Sequence, residues 1–63
     1  MILEWWAGRF TDRNTLMVFL HDGLVWEGIP SLAGKTEFAR YEVKAIHVVP
    51  DKETVVIDII ERM

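Results

Sequence analysis

The sequence predicts an α+β fold in which an N-terminal helix packs on a four-stranded, mostly antiparallel sheet made of two hairpins, with a short helix or turn between them. Three observations predict this fold: a helical spacing of apolar residues at the N-terminus, an Asp-Gly pair between two apolar runs, and two further strand-like runs around a polar turn. A chain of 63 residues has room for one domain, 1–63, whose last three residues are expected to fray.

The segment 2–10 has the apolar spacing of one helical face. The residues on that face are Leu3, Trp6, Ala7 and Phe10. Glu4 lies in the first turn and Arg9 near the last, where the helix dipole favours an anion and a cation respectively. Trp5 lies about 100° around the helix from Trp6, which leaves two alternatives: its indole is exposed, or the helix is rolled so that both indoles are partly covered.

The first hairpin is predicted from a continuous apolar run at 15–21, which is typical of a strand covered on both faces. Asp22 and Gly23 follow, and this pair is a strong hairpin signal because both turn positions need a positive φ. The segment 24–27 pairs back, and Pro30 ends the hairpin because proline cannot donate a hydrogen bond to a sheet.

The segment 31–40 is expected to form a short helix or a turn, because Ser31 suits a helix cap while Gly34 replaces the glutamate of a capping box. The alternating segments 41–49 and 54–60 predict a second hairpin. We expect its buried face to consist of Val43, Ala45, Val55, Ile57 and Ile59. The opposite face would then carry, among charged residues, Ile46, Val48, Val56 and Ile60.

Composition argues against several classes of function. The chain has no cysteine and a formal charge of −3, so we expect no disulfide framework, no thiolate metal site and no binding to nucleic acid. Neither a bilayer-spanning apolar run nor a signal-peptide pattern is evident, which predicts a cytoplasmic protein that does not contact a membrane. Because a domain of this size buries little surface, a homo-oligomer is expected.

Catalysis is not expected from this sequence, nor is a cofactor or a bound metal ion. Nucleophilic catalysis needs an activated Ser, Cys or Thr, and the one serine, Ser31, suits a capping position. His21 is expected to be a solvated loop residue, and His47 a partly buried residue on an otherwise apolar strand face. The carboxylates lie in turns or alternate along strands, and no pair is selected for acid–base chemistry.

Aromatic and basic residues are the candidates for binding. They are Trp5, Arg9, Arg13, Trp26, Lys35, Thr36, Arg40 and Tyr41. Trp5 leads because tryptophan is enriched in the hot spots of interfaces. The Gly-Lys-Thr run at 34–36 invites comparison with a phosphate-binding loop, but Ile29 stands where that motif needs a glycine. In a weaker form of this hypothesis, the run and Arg40 hold an anionic ligand at a junction between subunits.

Several short motifs follow one another along the chain. They are Trp26-Glu27-Gly28 after the Asp-Gly turn, Ile29-Pro30, Tyr41-Glu42-Val43 and Val55-Val56-Ile57-Asp58-Ile59. Their succession resembles small proteins encoded by phages and prophages of Firmicutes, although His21 and the segment 31–40 depart from that pattern. The resemblance implies an accessory protein of a mobile element that acts inside a bacterial cell, and it identifies no functional residue.

The sequence leaves two main functions open. The first is a phage accessory protein that binds a host protein stoichiometrically, most concretely as an inhibitor of a defence protein. The second is an oligomeric sponge that sequesters a small nucleotide signal at subunit junctions, with a tryptophan or Tyr41 stacked on the base and Arg or Lys on the phosphate. A third hypothesis is a small component of a virion.

Overall fold

A computed structural model describes residues 1–61 and confirms the α+β fold. The elements are α1 (Leu3–Ala7), β1 (Thr15–Leu20), β2 (Gly23–Gly28), α2 (Pro30–Ala33), β3 (Glu42–Val49), a 3-10 turn (Pro50–Lys52) and β4 (Thr54–Ile60). Residues 62 and 63, at the end that was expected to fray, lie outside the described range.

The sheet has the strand order β2-β1-β4-β3. Both hairpins are antiparallel, and they join through the two central strands, β1 and β4, which run parallel. The two-hairpin sheet is therefore confirmed, and the parallel pair at its centre is what makes one sheet of the two hairpins.

The core lies between one face of this sheet and the two helices. Its fully or nearly buried residues are Leu3, Ala7, Leu16, Val18, Ala33, Val55, Ile57 and Ile59. The helical face predicted at the N-terminus is confirmed, since Leu3 and Ala7 are buried and Trp6 and Phe10 are partly buried. The helix itself ends earlier than predicted, at Ala7, and turns continue the chain to position 10.

The tight turn of the first hairpin lies one residue earlier than predicted. Leu20 pairs with Gly23, so the two loop residues are His21 and Asp22, and both have a positive φ, of 52° and 66° respectively. Gly23 has no positive φ and begins β2. Histidine and aspartate are among the side chains that tolerate the left-handed region, which glycine adopts without a steric penalty.

Replacing Asp22 by glycine is expected to raise the free energy of unfolding by about 0.5–1 kcal/mol, because glycine relieves the left-handed strain at the second turn position. For a domain of this size we expect the melting temperature to rise by about 2–6 °C in circular dichroism. The control is Asp51→Gly, at a position without a positive φ, where glycine should lower the melting temperature. An equal fall in both variants would contradict the turn assignment.

A bulge in β3 reverses part of the predicted alternation. The pairing with β4 shifts between Val43 and Ala45, so Lys44 has no register partner. Val43 and Ile46 therefore pack against the core, whereas Ala45 is exposed opposite Asp58. The expectation that Ala45 is buried, and that Ile46 and Val48 face away from the core, was wrong because one inserted residue changes the face of all that follow.

The ambiguous segment 31–40 contains the end of a one-turn helix, α2, followed by turns. Ser31 is not the N-cap; Ile29 is, with Pro30 in the first turn. Asp12 holds this helix end from outside, because its carboxylate accepts hydrogen bonds from the Ser31 N–H at 3.0 Å and from the Ser31 hydroxyl at 2.8 Å. The cap is thus supplied by a residue that precedes the whole first hairpin.

The second face of the sheet has no helix packed on it in the part of the chain that the structure describes. On the central strand β1, Leu16 and Val18 are fully buried. Met17 and Phe19, which alternate with them and point to the other face, are partly exposed. β1 is therefore covered on one face only, which corrects the expectation of a strand covered on both. We call this surface the open sheet face. It comprises Thr15, Met17, Phe19, Leu24, Glu27, Glu42, Ala45, His47, Val49, Thr54, Val56, Asp58 and Ile60.

Candidate functional site

Helix α1 is fixed to the start of β3 by main-chain hydrogen bonds. The N–H groups of Leu3 and Glu4 donate to the carbonyls of Tyr41 and Ala39, each at 2.9 Å, and the Val43 N–H donates to the Met1 carbonyl at 2.9 Å. These bonds satisfy the first amides of the helix, which have no partner within it. The side chains on the outer side of α1 are therefore held in a defined position relative to the sheet.

Trp5 lies on that outer side with 38% of its surface exposed, and Trp6 is partly buried, so both indoles are partly covered and Trp5 is the more exposed of the two. Its ring meets the ring of Trp6 edge-on, with 4.9 Å between centroids and an interplanar angle of 89°. The Arg9 guanidinium carbon, from the turn that follows α1, lies 4.3 Å from the centroid of the Trp5 ring. An indole held between another indole and a guanidinium has little rotamer freedom left to lose on binding.

A groove of about 440 Å³ lies beside Trp5. It is lined by Met1, Ile2, Glu4, Trp5 and Glu42. One of its two carboxylates, Glu42 Oε1, accepts a hydrogen bond from the Met1 ammonium group at 3.1 Å. We call Trp5, Trp6, Arg9 and this groove the Trp5 surface. It combines an apolar concavity and an exposed aromatic ring with carboxylates at its rim.

A second groove, of about 640 Å³, brings three of the predicted binding residues together: Thr36, Arg40 and Tyr41. Its charged lining consists of Glu4, Glu37 and Glu61 with Arg40, so three carboxylates face one guanidinium. We call it the acidic groove. Glu4 lines both grooves, so the acidic groove continues into the Trp5 surface.

The side chains of Thr36 and Tyr41 in the acidic groove also have partners within the fold. The Thr36 hydroxyl donates to the Ala33 carbonyl at 2.9 Å and accepts from the Phe38 N–H at 3.2 Å, which stabilises the turn after α2. Tyr41 packs edge-on against Phe38, with 5.3 Å between centroids, and both rings contact the core. A phosphate in this groove would meet an excess of negative charge, which weakens the hypothesis of a nucleotide sponge.

The other predicted binding residues lie elsewhere. Arg13 and Lys35 are exposed and line neither groove. Trp26 lies on the core side of β2, partly buried against the core, and its ring covers Gly28. The sequence assigned Trp6 to the buried helical face and left Trp5 and Trp26 as binding candidates, and of these two only Trp5 lies at a groove.

The structure adds little chemistry at the residues considered for catalysis. Both histidines are exposed; His21 lies in its turn as predicted, but His47 was expected to be partly buried and lies on the open sheet face. The Ser31 hydroxyl donates to Asp12 and helps to hold α2. Within residues 1–61, no three side chains of His, Asp or Glu are placed to hold a metal ion. Over the same range, no helix has the length and apolar character needed to cross a membrane.

The sequence predicted only part of the open sheet face. It was expected as the half-apolar outer face of the second hairpin, and it continues across all four strands and includes Met17 and Phe19 of the first. Comparisons with protein-family models, with curated proteins and with solved structures found no match to this chain. The candidate sites therefore rest on the geometry of this molecule alone.

Proposed function

We propose that this protein acts without catalysis, by binding another protein stoichiometrically through the Trp5 surface. The observation that carries the proposal is the exposed Trp5 indole, held between Trp6 and Arg9 at the edge of an apolar groove. Tryptophan and arginine dominate the hot spots of protein interfaces, and an anchor that is already ordered loses less entropy on binding.

The charge around the Trp5 surface indicates the kind of partner. Glu4 joins the apolar groove to the acidic groove, where Glu37 and Glu61 add negative charge, and the whole chain carries a formal charge of −3. Complementary charge guides association and excludes wrong partners. The expected partner surface therefore presents an apolar side chain flanked by lysine or arginine.

The resemblance to proteins of phages and prophages extends this proposal. In the extended form the protein is a phage or prophage accessory factor in the cytoplasm of a bacterial host, and the partner is a host defence protein that it inhibits. An inhibitor of this kind needs only affinity and an obstructing position, so a domain without catalytic groups is sufficient.

The test begins with capture from a bacterial lysate by the immobilised protein and by its Trp5→Ala variant, followed by mass spectrometry. A protein retained by the first and lost by the second is then purified and titrated in a calorimeter. We expect saturation at one partner per chain and at least tenfold weaker binding by Trp5→Ala, because truncating a hot-spot tryptophan removes most of its contact area. Inhibition should saturate at the same ratio.

The control is Leu32→Ala, which removes a 47% exposed apolar residue of α2 that lines neither groove. Its affinity should stay within about twofold of the unchanged protein, since isolated surface contacts contribute little. Equal binding by Trp5→Ala and the unchanged chain would rule out the Trp5 surface. If the captured partner binds but keeps its full activity, the proposal of binding stands and the proposal of inhibition is ruled out.

A further inference from the structure

The side chains of the open sheet face form rows across the strands, because register partners in a sheet point to the same side. One row reads Glu27, Met17, Val56 and His47 from β2 to β3. The next reads Leu24, Phe19, Asp58 and Ala45. The first row has an acid at one end, an imidazole at the other and two apolar side chains between them.

This order is self-complementary under a twofold rotation. An axis parallel to the strands, passing between β1 and β4 in the plane of contact, lays β2 of one copy over β3 of the other and β1 over β4. It places Glu27 opposite His47 of the second copy, at both ends of the row, and Met17 opposite Val56 of the second copy. A carboxylate meets an imidazole N–H donor at both ends, and the apolar centres meet, in a single operation.

The second row also fits this arrangement. A hollow of about 190 Å³ lies on β4 and its neighbours, with Phe19, Lys44, Asp58 and Ile60 in its lining. The same rotation carries Phe19 of the second copy from its place on β1 to a place over β4, above that hollow. The ring then lies over Asp58, and Lys44 lines the same hollow, where its ammonium group is available to this carboxylate when the partner covers it.

The area agrees with a weak but specific dimer. Four strands about 4.8 Å apart, with about six residues of 3.4 Å each, make a face of roughly 400 Å² in plan. The relief of the side chains adds accessible surface, so two copies together bury about 1,000 Å², which is near the lower limit of specific interfaces.

We infer that a second copy of this chain covers the open sheet face and forms a twofold symmetric, face-to-face dimer. The two sheets make an aligned sandwich with Met17, Phe19 and Val56 at its centre, and the helices lie on the outside. The Trp5 ring stays exposed, because α1 packs on the other side of the sheet, and the open sheet face shares only Glu42, at the start of β3, with the groove beside Trp5. The inference therefore does not depend on the proposed function.

The full chain is measured by sedimentation equilibrium from about 1 μM to 1 mM. We expect a transition from the 7.3 kDa monomer to twice that mass. His47→Glu, which places two carboxylates opposite each other at both ends of the row, should raise the dissociation constant at least tenfold. Glu27 and His47 are both exposed, so these substitutions leave the core unchanged.

The decisive variant carries both Glu27→Lys and His47→Glu, which exchanges the signs of the two ends and should restore dimerisation to within about threefold. Within one copy the two residues lie three strand spacings apart, or about 14 Å, so rescue requires contact between copies. Trp5→Ala should dimerise like the unchanged chain, which separates this test from that of the proposed function.

Three results would overturn the inference. A chain that stays monomeric at 1 mM leaves the open sheet face to a different protein. A dimer that tolerates His47→Glu forms through another surface, such as the free edge of β2. Failure of the double exchange to restore association would show that Glu27 and His47 do not meet across the interface.

Discussion

Replacing Ile57 by alanine is expected to lower the free energy of unfolding by about 3 kcal/mol, within the range of roughly 2–5 kcal/mol for such core truncations. Ile57 is fully buried on β4, where it pairs with Val18 in the parallel direction and with Ile46 in the antiparallel direction. A single core of this size rarely supplies more than about 3–5 kcal/mol in total. We therefore expect the variant to be largely unfolded at 25 °C.

Urea titration followed by far-ultraviolet circular dichroism measures this effect, and Val56→Ala is the matched control. Val56 is the next residue on the same strand and lies on the open sheet face with part of its surface exposed. Its truncation should lower the free energy of unfolding by about 1 kcal/mol or less when the protein is dilute enough to be monomeric. Equal losses in the two variants would contradict the assignment of buried and open faces.

The opposite roles of these adjacent residues show what local patterns encode. Alternation along β4 predicted that Val55, Ile57 and Ile59 share one face, and all three are buried. Both hairpins could also be predicted from the sequence, because strand periodicity and turn residues are patterns that extend over only a few positions. The partial burial of Trp6 on the core side of α1 belongs to the same class, since it depends only on the angle between successive helical residues.

Local patterns do not encode the features that depend on distant partners. The parallel contact of β1 with β4 joins segments that are separated by residues 21–53, about half of the chain. α2 is held by Asp12, which precedes the first hairpin. The bulge at Lys44 turns every later residue of β3 to the opposite side of the sheet from the one that strict alternation predicts. No residue type in that strand marks the bulge.

The candidate site divides in the same way. The basic residues that were expected to cooperate are scattered, because the fold places Arg40 among carboxylates and leaves Arg13 and Lys35 outside both grooves. The extension of the open sheet face over β1 and β2 emerged only from the structure, since helices packed on both sides of the sheet would have buried Met17 and Phe19 in a core.

The two proposals together imply a bivalent protein. A dimer that meets through its open sheet faces carries two copies of the Trp5 surface on its outer sides. Two linked sites bind a partner with two matching sites far more tightly than either alone, provided that the geometry lets both engage. A dimeric target would thus stabilise a weak dimer of this chain, because the target binds the dimer through two sites and the monomer through only one.

Replacing Gly28 by alanine is expected to lower the free energy of unfolding by about 2 kcal/mol. The Trp26 ring lies so close that a Cβ at position 28 would be 2.8 Å from Trp26 Cζ2 and 3.0 Å from Cη2. Trp26 packs against the core, so its ring cannot move away without losing buried contacts. Overpacking of this kind destabilises a core by about 1–3 kcal/mol.

Gly23→Ala is the matched control, because the nearest atom to a Cβ there is the Leu20 carbonyl oxygen at 3.6 Å, an ordinary contact, and its φ is not positive. That change should be neutral or slightly stabilising in urea titration. Combining Gly28→Ala with Trp26→Leu separates sterics from backbone effects: once the indole is removed, the added methyl group should destabilise by less than about 0.5 kcal/mol. An undiminished penalty in the Trp26→Leu background would show that Gly28 is required by the strand rather than by the ring that covers it.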